Sequence, residues 1–190
     1  MKVQLGVSNR HVHLCREDLK ILFGEDYELT NIKNLVQPGQ FASSDVVTIK
    51  TEKAELSKVR IIGPIRNYTQ VEISKTDAIK LGINPPVRDS GDLDNSETVE
   101  IIGPNGSIIK ENCCIIANRH LHMTPKQRIQ YGLTDVDKVV VKTTGVKSAI
   151  LFDVFVKEQE VSELELHLDT DDANANLLKT GDIVEILLNK

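Results

Sequence analysis

One short pattern is written twice in this chain, and it constrains the fold more than any other feature. Residues 8–14 read Ser-Asn-Arg-His-Val-His-Leu, and residues 117–123 read Ala-Asn-Arg-His-Leu-His-Met. The shared core, Asn-Arg-His-x-His, places His11 and His13 in the first copy and His120 and His122 in the second. The chain has only five histidines, so the two copies use all but His167, which lies in the alternating segment Glu163–Asp169. On an extended strand, residues two apart point to the same face. Each copy therefore presents two imidazoles side by side, which is the start of a site for zinc or a neighbouring transition metal. A single such pair is an ordinary accident of a wet strand face, but two in matching context are not.

The rest of the chain supplies the frame. A length of 190 residues, 40% hydrophobic and 27% charged, suits one large or two small soluble domains. Aromatic content of 4% with no Trp argues against base stacking, and a net charge of -5 argues against a general nucleic-acid binder. No apolar run reaches the length of a membrane span, and the first residues lack the apolar stretch of a signal peptide. Three cysteines, with Cys113 and Cys114 adjacent, make neither a disulfide framework nor a metal knuckle. Together these features read as a cytoplasmic protein without membrane or nucleic-acid partners.

Each His-x-His stands where a strand hands over to a short helix. Residues 2–8 alternate as a strand, and Arg16–Phe23 carries Leu19, Leu22 and Phe23 at helical spacing before Gly24. After the second copy, Thr124 is placed to cap and Pro125 to open a helix running to Gly132. Residues 25–44 read as an excursion, with a turn at Gln37-Pro38-Gly39-Gln40. Strands are expected at Val46–Lys50, Lys58–Ile62, Thr69–Ser74, Thr98–Ile102, Ser107–Ile109 and Cys113–Ala117. A helical turn is expected at Asp77–Leu81 and a Pro- and Gly-bearing loop at Asn84–Ser96. Further strands follow at Lys138–Thr143, Ser148–Val156, Glu163–Asp169 and Asp182–Leu188, with a short helix at Thr170–Leu178. This is a mainly β chain of two tandem small β-barrels with short capping helices. Two metal sites in the cleft between the barrels would give the repeat its reason.

With these motifs in view, the sequence resembles the phosphotransacylases of the PduL type, the phosphate propanoyltransferases. The resemblance rests on Gly-Val-Ser-Asn-Arg-His-Val-His-Leu at 6–14, Gln-Pro-Gly-Gln-Phe-Ala at 37–42 and Gly-Pro-x-Arg-x-x-Thr-Gln-Val-Glu-Ile-Ser at 63–74. It continues through Arg-Asp-Ser-Gly at 88–91, Ala-Asn-Arg-His-Leu-His-Met at 117–123 and Glu-Leu-His-Leu-Asp-Thr-Asp-Asp-Ala-Asn-Ala at 165–175. The resemblance implies conversion of acyl-CoA, propanoyl or acetyl, and phosphate to acyl phosphate and CoA, with two zinc ions per chain. It also implies a homodimer, and a first strand that crosses over to complete the barrel built by the C-terminal part. The domains expected on this basis are residues 10–117, with an inserted excursion at about 24–44, and residues 1–9 plus 118–190. Relatives sent into microcompartments carry an N-terminal extension; here the first strand begins at once, which favours a free cytoplasmic enzyme.

The same resemblance distributes the site residues. His11, His13 and Glu72 would hold one zinc, and His120, His122 and His167 the other. Between Val71 and Ile73, Glu72 reads from its neighbours alone as readily as a solvent-facing strand residue. Arg66 would bind phosphate and act as the catalytic arginine, and its planar fork suits two oxygens at once. Coenzyme A would be met by Ser8, Lys33, Arg60, Ile62 and Asn174. Arg88, Asp89 and Ser90 would also border the cleft, with no role assigned. Three protein ligands per ion leave an open position, as in catalytic rather than structural zinc. Cys15, two residues beyond His13, is expected to be turned away by the start of its helix and to be neither ligand nor nucleophile.

Two alternatives are a cupin-like single-metal enzyme, in which Glu17 would join His11 and His13, and a non-catalytic binding module with closed metal sites. The first requires Glu17 on the strand system, whereas Arg16–Phe23 reads as helix.

Overall fold

The computed structural model describes residues 1–188. In chain order the first half runs β1 (Lys2–Ser8), β2 (His11–His13), α1 (Arg16–Phe23), β3 (Asn31–Asn34), β4 (Phe41–Lys50), β5 (Glu55–Gly63), β6 (Gln70–Glu72) and α2 (Lys75–Leu81). It continues with β7 (Val87–Arg88), β8 (Glu97–Ile102), β9 (Ser107–Ala117), β10 (His120–Met123), α3 (Pro125–Gln130) and β11 (Lys138–Lys142). The last elements are β12 (Ile150–Glu158), β13 (Glu165–Asp169), α4 (Thr170–Ala175) and β14 (Ile183–Leu187).

These elements form two compact units, each with its own barrel and core. One unit takes Met1–Ser8, Val36–Pro38 and the chain from Asn118 onward; the other takes Asn9–Leu35 and Gly39–Ala117. In the first, a closed barrel runs β1-β13-β10-β12-β11-β14 and returns to β1. In the second, the order β4-β5-β2-β6-β9 is closed by β8, which pairs with both β9 and β4. Closure removes the unpaired strand edges that otherwise invite aggregation.

The cores follow from period-two alternation. Along β4, Ser43, Asp45, Val47 and Ile49 are buried while Ser44, Val46 and Lys50 are exposed. Val47, Ile49, Val59, Ile61, Val71, Val99 and Ile101 gather with Leu14, Leu19 and Leu22 in one core. Val3, Leu5, Leu121, Val141, Val154, Leu166, Val184 and Ile186 form the other. Fully burying each such aliphatic side chain contributes roughly 1.5–3 kcal/mol. The chain is mainly β with two barrels and short helices, as its pattern implies. Among the described residues, no helix is long and apolar enough to cross a membrane.

Local boundaries differ in instructive ways. Residues 107–117 are one strand, not two, because Lys110-Glu111-Asn112 forms a bulge rather than a turn. Asn112 takes φ 48, and the pairing steps from Val99↔Lys110 to Glu97↔Cys114. The excursion at about 24–44 contains the strand β3 and the start of β4, which begins at Phe41. Asp45 disguises β4 in the sequence, since a carboxylate sits in the strand's buried row. It is satisfied there by Tyr27 Oη at 2.7 Å and by the Thr30 backbone N–H at 3.0 Å. α2 begins at Lys75, earlier than the apolar pattern suggests, because Ser74 caps it through the Asp77 N–H.

Candidate metal centres

Both His-x-His pairs are presented by one device. The intervening residue, Val12 or Leu121, is completely buried in its barrel core, so the flanking imidazoles point to the opposite face of the strand. β2 lies between β5, parallel, and β6, antiparallel, with His11 opposite Arg60 and Glu72. β10 lies between β12, parallel, and β13, antiparallel, with His120 opposite Phe155 and His167. The third donor thus enters each site from the antiparallel neighbour at the same register position. The result is two groups, His11–His13–Glu72 and His120–His122–His167, each with donor atoms within 4.8 Å of one another.

The donor chemistry fits a divalent transition ion. A backbone carbonyl only accepts, so an imidazole nitrogen bonded to one carries the proton and leaves its other nitrogen as the donor pair. His11 Nδ1 meets Asn9 O at 2.8 Å, His13 Nδ1 meets Ile62 O at 3.0 Å, and His120 Nδ1 meets Asn118 O at 2.7 Å. These three rings offer Nε2. His167 is reversed: its Nε2 meets the Glu165 carboxylate at 2.8 Å, leaving Nδ1. His122 Nδ1 is buried without a hydrogen-bond partner, the kind of atom that an ion would satisfy. Burial, then the neighbouring His11 and Arg66, holds His13 well below the ordinary imidazole range. Burial, then His120 and His167, pushes His122 down to about 2. Neutral imidazole is the ligating form.

Glu72 is buried at 9% exposure, not solvent-facing, and its Oε2 lies 3.5 Å from His11 Nε2. Gln70, on the same face of β6, donates from Nε2 to the Glu72 carboxylate. The same amide donates to Ser90 Oγ at 2.8 Å and accepts from the Gly91 N–H at 2.7 Å. Arg66 joins this network, donating from Nη1 to Ser90 Oγ at 3.1 Å and to Tyr68 Oη at 3.0 Å. Its backbone N–H is tied to Leu14 O at 3.0 Å, beside the His-x-His strand. Arg66 and the first ligand group therefore form one constellation. Gln70 is its unanticipated member; of the Arg-Asp-Ser-Gly stretch, named in the sequence without a role, Ser90 touches Arg66, whereas Arg88 pairs with Asp92 at 3.4 Å.

The remaining sequence candidates are spread over both units. Lys33 is exposed on β3, Arg60 donates to Ser43 O, and Ile62 contributes its carbonyl to His13. Ser8 ends β1 opposite Asp169, and Asn174 is exposed on α4. Glu17 is exposed on α1 and belongs to neither ligand group, which removes the basis for a cupin-like site. Cys15 is buried at the N-cap of α1 and receives Thr69 Oγ1 at 3.5 Å; it too lies outside both groups.

The arginine of each motif was also silent in the sequence. Arg10 pairs with Asp77, and Arg119 grips Asp172 through Nε and Nη2, both at 2.7 Å. Both aspartates lie in the first turn of the helix that follows the third donor's strand. Each arginine thereby ties its His-x-His strand to the neighbour that completes the site.

Comparison with known proteins gives the family of the chain. A family model described as phosphate propanoyltransferase matches residues 4–179. A phosphate propanoyltransferase of Thermotoga maritima is 54% identical over 184 residues, covering 96% of this chain and 88% of that protein. One from Rhodopseudomonas palustris is 46% identical over 97% of this chain and 82% of its own length. A Clostridioides difficile relative of the same name is 38% identical, over 97% and 88% respectively.

Proposed function

Since the chain belongs to the phosphate propanoyltransferase family, we propose that it transfers a propanoyl or acetyl group between coenzyme A and inorganic phosphate. The observation that carries this reading is Arg66, a guanidinium held by Tyr68 and Ser90 beside a histidine–histidine–carboxylate ligand group. His11, His13 and Glu72 would hold one zinc ion and His120, His122 and His167 a second. When bound, zinc supplies Lewis-acid polarisation of the thioester carbonyl and a soft partner for the departing sulfur.

Arg66 would hold phosphate by two parallel N–H bonds and orient one oxygen toward the thioester carbon. That oxygen forms the new C–O bond as the C–S bond breaks, and the proton of hydrogen phosphate passes to the CoA thiolate. The products are acyl phosphate and CoA, with no acyl-enzyme. Lys33 and Arg60 would meet the diphosphate and 3′-phosphate of CoA. Arg60 spends one N–H on Ser43 O and keeps others of its five free for that purpose. Ser8, Ile62 and Asn174 would line the mouth. The reading carries with it a cytoplasmic homodimer.

The test is CoA release from propanoyl-CoA and acetyl-CoA with and without phosphate. Release is expected only with phosphate, to vanish on chelation, and to return with zinc. Release at equal rate without phosphate would make the protein a thioesterase instead. Arg66→Lys keeps the charge but loses the fork, so it should raise the KM for phosphate and lower kcat. The combined loss should be about 2–4 kcal/mol of transition-state stabilisation, with zinc content unchanged. An Arg66→Lys protein with normal phosphate kinetics and a raised KM for CoA would move this arginine to the CoA site.

A further inference from the structure

The ring of His167 is turned opposite to those of His11, His13 and His120, and the residues responsible form a built socket. Glu165 and His167 are two apart on β13 and so share a face. Glu165 is 3% exposed, and a carboxylate so buried must be paired. Its Oε2 receives His167 Nε2 at 2.8 Å and Gln37 Nε2 at 3.2 Å. Gln37 is itself buried and fully used: Nε2 also donates to Glu163 O at 3.1 Å, and Oε1 accepts from Ser162 Oγ at 3.1 Å and Glu163 N–H at 3.3 Å. Acceptors face the amide nitrogen and donors face its oxygen, so the amide has one orientation. Gly6, opposite His167 in the parallel β1–β13 ladder, leaves room for the pair. A Cβ there would stand 2.9 Å from Glu165 Oε1 and 3.0 Å from His167 Cδ2.

We propose that Gln37 and Glu165 are positioning residues that hold the proton of His167 on Nε2, so that Nδ1 is the atom this histidine offers to the second zinc. The inference rests on the two-zinc reading for its ligand but not for its hydrogen bonds. A carboxylate can only accept, which assigns the proton; a carboxylate partner also makes the imidazole a stronger donor to a metal. Gln37, from the turn between β3 and β4, keeps Glu165 from rotating away. The turn Gln-Pro-Gly-Gln thereby acquires a function that its sequence does not announce.

The test has a metal-free and a metal-bound arm, applied to the full chain and its Glu165→Gln, Glu165→Leu and Gly6→Ala variants. In metal-free protein labelled with 15N-histidine, the His167 ring, identified by its loss in His167→Gln, should show the Nε2–H tautomer. It should keep that tautomer in Glu165→Gln, whose carbonyl still accepts, and lose it in Glu165→Leu. In zinc titrations against a chromophoric chelator, the unsubstituted chain should bind about two ions. Glu165→Leu should bind one of them roughly 10–100-fold more weakly, the usual range for loss of such a partner. Glu165→Gln should fall between, and Gly6→Ala should resemble Glu165→Leu. An Nδ1–H tautomer in the unsubstituted chain, or two undiminished zinc affinities in Glu165→Leu, would overturn the proposal. If Glu165→Leu fails to fold, Glu165→Gln and Gly6→Ala decide the matter by the same readings. No zinc uptake by the unsubstituted chain would end the two-zinc reading instead, with the tautomer still judging the relay.

Discussion

The two barrels match strand by strand, yet their candidate metal-ligand groups are not alike. β1 runs parallel to β13 as β9 does to β6, and β13 antiparallel to β10 as β6 does to β2. The remaining pairings, β10–β12, β12–β11, β11–β14 and β14–β1, repeat as β2–β5, β5–β4, β4–β8 and β8–β9. In both, the first histidine stands opposite the third donor. At that position one barrel has Glu72 and the other His167. The first group thus carries a carboxylate among its donors; in the second the carboxylate, Glu165, stands one layer behind. A common backbone frame sets where donors lie, and the side chains at one register position set the charge they bring.

Exchanging the third donors breaks this comparison most severely. His167→Glu would set two carboxylates side by side where Glu165 now meets an imidazole, so activity should fall by more than roughly 10³-fold. Glu72→His removes the carboxylate that receives Gln70 but creates no like-charge pair, and a loss of roughly 10–100-fold is expected. Phosphate-dependent CoA release and zinc content measure both. Equal losses would mean that the layer behind the donors does not distinguish the sites.

The arginine ties separate the barrels less strongly. Arg119 makes two charge-assisted bonds to Asp172, so Arg119→Gln should lower stability by about 1–2 kcal/mol in denaturant melts. Arg10 donates one N–H to Asp77, and Arg10→Gln should cost less. A reversed order would show that the deeper burial of Asp77 outweighs the second bond.

The smallest expected effect concerns the helix that follows each motif. Thr124 closes a capping box with Gln127, whereas Cys15, its counterpart, makes no side-chain cap. Cys15→Ser should therefore keep most activity and raise stability by about 0.5–1 kcal/mol. A collapse of activity, or an acyl group trapped on Cys15, would make this thiol part of the chemistry. Cys113 offers a control in the same barrel, since burial pushes its thiol up to about 12 and should leave it unalkylated in the native protein.

Much of this was legible because it is local. A His-x-His on a strand with an apolar residue between its imidazoles determines its own facing, and Thr124-Pro125 with Gln127 determines a helix start. Glu165 and His167 likewise share a face by their spacing alone. β4 was partly hidden because Asp45 interrupts its apolar row, and the bulge at Asn112 because Lys-Glu-Asn reads as a turn. In both cases a tertiary partner or a bulge overrode a local signal.

What the sequence by itself determined was the repeated donor pair, its strand setting and, through its motifs, the family. Tertiary structure decided that Glu72 is buried beside His11 rather than facing solvent, because its neighbours Val71 and Ile73 fit both readings. It also decided the partner of Gln37, whose bonds reach residues more than a hundred positions away in the chain. Such contacts have no periodicity or propensity to betray them. They exist only once Val36–Pro38 packs into the same compact unit as β13, and through Glu165 they hold the ring of His167.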